Sequence, residues 1–481
     1  MFAIAFVARL SEVWHGPGLS SDLGYDPGVY FAAADGLVHG RLPYRDFVLL
    51  HPPGLMLALS PFAVATRWVS DESAFIAANL TFTGLGAFNA AFVVGIGRKL
   101  GLGPVAAVSG GIIAALWLGS VHAEDVVRLE PLANFFVLVA LYALAAARRG
   151  SPTRWLFVMG AALGLATSVK IWYVVPLVVV LGWTLVRVRD RRATAAAGCG
   201  AAAALIATNA VFFALAPSSM WHMVVTEQLG RGRFNSSPLA RFAQAYDLAN
   251  WNRVLGVGPA TVGVVVIVVI AAVLLRAAWA DPTGRMLTVL VGVQVVVMVM
   301  SPSWFAFYAD YLTPALALAL AIGVANAVTV TVAPVSRRRI AGAAAVVGLV
   351  VLVVPLTWQR IGFAFPGPEL TRAAGASRCV TSDTPMALIE LDALSRSFSA
   401  GCRDWVDVAG RLYGPDRAGA PRAKNPRWQR DVKNYLLSGD AFIVIRSNTG
   451  LSALTRAELQ RTPVIARVGS FVLHQGLGGR S

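Results

Sequence analysis

Between Asp26 and His51 the chain concentrates side chains that can do chemistry at a water boundary. Tyr25-Asp26-Pro27-Gly28-Val29-Tyr30 sets a carboxylate at the head of a helix-like run, and Arg45, Asp46 and His51 follow, stiffened by Pro43, Pro52 and Pro53. A second group, Glu124, Asp125, Arg128 and Glu130, falls in HAEDVVRLEPLANFF, and Lys170 stands alone in TSVKIWY beside Trp172 and Tyr173. Residues 216–254 add Arg231, Arg233, Arg241 and Arg253 among aromatics. A positioned carboxylate can take the proton of an attacking hydroxyl, and Arg or Lys can hold the charge of a departing phosphate. The set suits transfer of a group from a phosphate-linked donor.

The elements that must position these residues are membrane helices. Of 481 residues, 57% are apolar and only 14% charged, with a mean hydropathy of +0.64, so a water-soluble globule is excluded. A spanning helix takes roughly 20 mostly apolar residues. Such runs lie near 74–97, 104–120, 131–147, 194–215, 255–278, 285–302, 311–330 and 340–357. The run 155–188 is too long for one span and reads as a hairpin of two short helices meeting near Lys170. The N-terminal MFAIAFVARL reads as the outer half of a first span rather than a signal peptide, because no small-residue cleavage site follows it.

The net charge of +16 would suggest a nucleic-acid partner in a soluble protein. Sorting the charges by loop removes that reading. If the proline-rich segment 52–69 stays outside as a juxtamembrane helix, one face collects Arg98, Lys99, Arg148, Arg149, Arg154, Arg187, Arg189, Arg191, Arg192, Arg276, Arg285, Arg337, Arg338 and Arg339. The other face then holds Asp22, Asp26, Asp35, Asp46, Glu124, Asp125, Glu130, Glu227, Asp247 and Asp310, the asymmetry of the positive-inside rule. This predicts an α-helical polytopic protein of about eleven transmembrane helices, with its N-terminus inside and the acidic loops outside. Along the first loop, Tyr30, Ala33 and Ala34 are expected to face the bilayer while Asp26 points back to the protein.

The expected domains are a multi-spanning membrane domain over 1–360, whose first outer loop, 15–73, carries juxtamembrane helices, and a small extracytoplasmic α/β domain over 361–481. The second shows strand-like AFIVIRS and TPVIARVGSFVLHQ and helix-like LIELDALSRSF. Cys379 and Cys402 are a disulfide candidate in an oxidising space. Cys199, among Ala and Gly in a span, reads as a small buried apolar residue. No short repeat or duplicated half is evident.

Several motifs also resemble those of the GT-C glycosyltransferases, in the branch of protein O-mannosyltransferases and lipid A aminoarabinose transferases. Tyr25–Tyr30, Gly40-Arg41-Leu42-Pro43-Tyr44-Arg45-Asp46-Phe47 and His51-Pro52-Pro53-Gly54 are similar to the first-loop signature. Arg128-Leu129-Glu130-Pro131 resembles the second-loop acidic motif, and Gly164-Leu165-Ala166 with Lys170 the glycine-and-lysine hairpin. Tyr308-Ala309-Asp310-Tyr311 with Pro314 resembles a late aromatic motif. The resemblance implies inverting transfer from a polyprenyl-phosphate sugar. Its catalytic candidates are Asp26 as base, Asp46 and Glu130; Asp46 and His51 would shape the acceptor site. Substrate-binding candidates are Tyr30, Arg45, His51, Arg128, Lys170, Arg231, Arg233 and Tyr308. Many relatives carry Asp-Glu where this chain has Asp26-Pro27, which takes away the second acid a divalent metal would use.

The expected partners are therefore a polyprenyl-phosphate-linked sugar, a glycan, lipid or protein acceptor of the cell envelope, and membrane lipids, with no nucleic acid and no metal assigned. The expected place is the plasma (inner) membrane. An Ala-, Val- and Arg-rich chain with few Lys suggests a GC-rich bacterium, from which mannose or arabinose is the expected sugar. The rival reading is a transporter or flippase for a lipid-linked precursor, but transporters commonly show paired repeats and charged sites at mid-membrane. A non-enzymatic envelope protein on the same fold is a third.

Overall fold

A computed structural model describes residues 1–14, 24–148, 150–230, 237–246, 248–330, 365, 367–413 and 421–478. The apolar runs are helices because lipid offers no partner for backbone N–H and C=O groups, which must pair within the segment. Among the described residues six helices are long and apolar enough to cross a membrane: Asp71–Lys99, Leu129–Ala147, Arg191–Leu215, Val257–Ala278, Pro282–Met300 and Ala306–Ala327. Val262, Val265, Val269, Val273, Ile206 and Val211 are exposed on them, a surface suited to lipid rather than water. The chain is a multi-pass membrane protein.

Shorter apolar helices are Phe2–Ser11, Gly54–Ala65, Pro104–Leu116 and Ile171–Arg187. Within 52–69 the helix Gly54–Ala65 has 12 residues with Pro61 inside it. At 1.5 Å per residue it rises about 18 Å, against about 30 Å of hydrocarbon. The run 155–188 is the expected hairpin: Pro152–Val169 ends at Lys170, which is extended, and one 3₁₀ turn, Ile171–Tyr173, leads into Val174–Arg187. The expected span 340–357 lies outside the described residues.

The chain divides into two compact units. The first comprises Met1–His15, Thr81–Thr208 and Leu229–Arg360; the second comprises Gly16–Leu80, Asn209–Gln228 and Ile361–Ser481. In the first unit, glycine lets two helices approach closely. A Cβ at Gly160 or Gly164 would collide with the carbonyls of Ala197 or Ala201, and one at Gly200 with that of Phe157. Small residues four apart are the usual device for such contact in membranes. Cys199, on the same helix as Gly200, is free and exposed rather than buried, because Ala197 and Gly200 occupy the packed face.

In the second unit the helix Tyr25–Val38 is buried from Pro27 to Gly36. Tyr30, Ala33 and Ala34 are thus enclosed by protein and do not face the bilayer. This helix packs on Gly54–Ala65 and on the segments Pro385–Glu390 and Leu394–Ser399, and Gly28 meets Pro385–Glu390 so closely that a Cβ would stand 2.8 Å from the Met386 amide nitrogen. The C-terminal residues form a four-stranded sheet, β1 (Val380–Ser382), β2 (Ala441–Ile443), β3 (Val464–Val468) and β4 (Phe471–Gln475), in the order β1-β2-β4-β3. β1 and β2 run parallel, while β4 is antiparallel to both of its neighbours. Beneath it Trp405, Trp428, Val432, Tyr435 and Phe442 form the core. The helix-like stretch 388–398 is broken, since Pro385–Glu390 and Leu394–Ser399 are parted at Asp392, whose φ is 50°. A disulfide joins Cys379 and Cys402.

Candidate functional site

In the second unit Asp26 sits in the first turn of the Tyr25–Val38 helix. Tyr25 anchors that turn: its hydroxyl donates to Asp407 Oδ1 at 2.7 Å and accepts from the Ala409 amide at 2.7 Å. Burial, with the Asp407 charge second, pushes the Tyr25 hydroxyl well above its ordinary pKa, so it stays a donor. The guanidinium of Arg446 lies 4.0 Å from the Tyr25 ring centre and within electrostatic reach of Asp26.

The turn after this helix is built by its own side chains. Leu42 N–H donates to Asp46 Oδ2 at 2.8 Å, and Arg45 grips the same carboxylate with two bonds of 2.9 Å. That pair is exposed, and Arg45 draws the Asp46 carboxyl below its ordinary pKa. Tyr44, held at a φ of 67°, donates from its hydroxyl to the His51 carbonyl at 2.7 Å. The His51 ring meets Tyr30 edge-on at 5.8 Å. Arg45 and Asp46 thus fasten a turn, while the buried Tyr30 and the half-buried His51 form an aromatic contact.

Further along the helix, Asp35 is fully buried and accepts from the Ser395 hydroxyl at 2.9 Å, with His39 Nδ1 at 3.5 Å. Burial, with the Asp71 charge adding to it, raises its carboxyl to about 8. Asp404 is raised to about 7 by burial, against the pull of Arg41.

The first unit holds the other candidates. Lys170 Nζ donates to Glu130 Oε1 at 2.6 Å, both side chains being buried. The same ammonium stands 4.1 Å from the Tyr308 ring and 4.6 Å from that of Trp172. Arg128 lies 4.3 Å from the Phe307 ring, and Phe307 in turn packs edge-on against Tyr308. One aromatic cluster therefore carries two cations, only one of which has a carboxylate among the described residues. Arg128 is the cation of this cluster suited to meet an anion, because the Phe307 ring orders it without neutralising it, whereas the Lys170 charge is already balanced by Glu130. Arg231 and Arg233 lie outside the described residues.

Reading the sequence for sites missed much of the polar framework here. Arg9, fully buried, donates from Nε to Glu124 at 2.9 Å and to the carbonyls of Ala5, Ala114 and Ala115. Asn89 donates to Glu124 at 3.3 Å and to the Pro131 carbonyl at 2.8 Å. Asn134 donates to Asp310 at 2.9 Å and accepts from Tyr173 at 2.7 Å. An arginine inside an apolar run was the available signal for Arg9, since an intramembrane charge demands a partner. Among the described residues no group of three or more His, Cys, Asp or Glu is placed to hold a metal ion.

The fold is GT-C-like, as likeness to solved structures shows. The chain is similar along its length to the crystal structures of ArnT from Cupriavidus metallidurans. The apo state gives 15% identity and a TM-score of 0.55, covering 99% of this chain and 97% of that one. The undecaprenyl phosphate complex gives 14% and 0.55, covering 98% and 96%. The Archaeoglobus fulgidus oligosaccharyltransferase, in complex with Zn and sulfate, gives 13% and 0.53, covering 92% of this chain and 67% of that one. The model of glycosyltransferase family 87 matches residues 49–302, more than half of the chain, and the chain belongs to that family. No curated protein gives a significant sequence match.

Proposed function

We propose that this glycosyltransferase moves a sugar from a polyprenyl-phosphate donor to a hydroxyl of a cell-envelope glycan, lipid or protein, outside the plasma (inner) membrane. Asp26 takes the proton of the acceptor hydroxyl; the acceptor oxygen attacks the anomeric carbon from the face opposite the phosphate. The sugar–phosphate bond breaks, its electron pair stays on the phosphate oxygen, and configuration inverts. Lys170 and Arg128 face the donor phosphate, with Tyr308 ordering Lys170 and Glu130 holding it. Arg45 and Asp46 fix the loop that, with Tyr30 and His51, shapes the acceptor site.

The observation that carries this reading is an acid, Asp26, in the first turn of a buried first-loop helix whose motif resembles that of GT-C enzymes. The donor class is supported by the likeness to ArnT, which was solved with undecaprenyl phosphate. The outer orientation is supported by Arg98, Lys99, Arg148, Arg187, Arg191, Arg276 and Arg285, all at ends of described helices. The Cys379–Cys402 disulfide supports an oxidising compartment for the C-terminal residues. The sugar is mannose or arabinose. Incubating the purified protein with labelled decaprenyl-phosphate mannose or decaprenyl-phosphate arabinose and a membrane extract tests this: one label should pass to an acceptor. Transfer of neither label would refute this sugar assignment.

A further inference from the structure

We propose that Arg446, from the C-terminal sheet region, is a positioning residue for Asp26: its guanidinium, stacked on Tyr25, sets the charge and direction of the carboxylate at the head of the first-loop helix. The inference rests on the proposed role of Asp26 as base.

Arg446 follows β2 in a loop that Asp383, just after β1, fixes by its backbone. Asp383 accepts from the Ile445 amide at 2.9 Å, from the Arg446 amide at 3.0 Å, and from the Thr449 hydroxyl. Its oxygens are therefore committed to the loop, and the Arg446 side chain is left to other company. Among the described residues the guanidinium donates no hydrogen bond and forms no ion pair, although it is half-buried. The guanidinium carbon lies over the Tyr25 ring, 4.0 Å from its centre, and Asp26, the next residue of that helix, acts on the same guanidinium electrostatically. An arginine can stack and donate at once; a lysine cannot.

The charged and titratable groups around it are Tyr25, Asp26 and Asp383, with Arg422 as the opposing cation. Arg456 touches only its carbonyl, at 3.4 Å. Tyr25 is itself fixed by Asp407, so the stack is rigid at both ends. Burial lowers the Arg446 pKa, and Tyr25, Asp383 and Asp26 act against that shift by favouring the charged form. A positive charge at that place favours the ionised form of a neighbouring carboxylate, the form a general base must have.

The test uses the full chain in lipid nanodiscs, with sugar transfer measured against pH for wild type, Arg446→Gln, Arg446→Lys and Asp26→Asn. Arg446→Gln should lower kcat at least tenfold with the donor KM within twofold, and move the acid limb of log kcat to higher pH. Arg446→Lys should restore the limb and recover only part of kcat, since the charge returns without the stack. A kcat within twofold of wild type in Arg446→Gln, or a loss of kcat with an unmoved acid limb, overturns the inference. An active Asp26→Asn removes the reading beneath it, whereas an inactive Asp26→Asn beside a normal Arg446→Gln defeats this inference alone.

Discussion

Lys170 and Glu130 form an ion pair of 2.6 Å with both side chains buried. Removing one partner of such a pair strands the other charge and costs about 3–5 kcal/mol, whereas apolar replacement of both can be nearly neutral. Glu130→Gln and Lys170→Met should each lower the melting temperature in detergent, and Lys170→Met with Glu130→Leu should recover much of the loss. If Lys170 also faces the donor phosphate, the recovered double variant will be stable and inactive. An active double variant would leave the pair a purely structural role.

Asp35 gives the second unit a pH dependence of definite sign. Its carboxyl, raised to about 8 by burial with Asp71 adding to it, keeps its proton in the folded state, while the unfolded chain gives it up near 4. Unfolding then releases a proton between those values. The group's contribution is therefore full below about pH 4 and is lost as pH rises towards 8. Thermal melting at pH 6 and pH 8.5 should show a fall that Asp35→Asn reduces; an unaltered pH dependence in the variant would contradict the assignment.

Gly28 has no room for a side chain, because a Cβ would stand 2.8 Å from the Met386 amide nitrogen. Overpacking of this kind costs about 1–3 kcal/mol. Gly28→Val should make the Pro385–Glu390 segment exchange its amide hydrogens faster, while Gly36→Ala, with 3.4 Å to the Phe47 ring, should be milder. Equal exchange in the two variants would show that the contact is slack.

The Cys379–Cys402 bridge spans 23 positions. Closing a loop of that length stabilises the folded state by about 3 kcal/mol in the chain-entropy treatment. The paired Cys379→Ser and Cys402→Ser variant should melt several degrees lower without reductant, and wild type should match it once reduced. No difference between the two oxidised proteins would mean the bridge does little for stability.

Much of this was legible in the sequence, for identifiable reasons. The spans were visible because lipid imposes length and apolarity, and the hairpin at Lys170 because a lone cation interrupts a run too long for one helix. The Asp46 turn was visible in its prolines. Tyr30, Ala33 and Ala34 were misassigned because a small apolar face satisfies lipid and protein equally, and only the packing of distant segments around the helix decides between them. Cys199 went the other way for the same reason. Arg446 gave no signal: it ends an alternating strand-like stretch, and Tyr25, which it covers, meets Asp407 across 382 positions of chain. Contacts of that range belong to the fold and leave no local pattern.

The most direct measurement is sugar transfer by Asp26→Asn. The substitution keeps the side chain's size and removes its capacity to accept a proton. With the purified variant expressed and melting as wild type does, release of polyprenyl phosphate from the labelled donor should fall by at least the 10²–10⁴-fold typical of a lost general base. Turnover at the wild-type rate would contradict the account, since the one acid on which the proposed chemistry depends would then be dispensable.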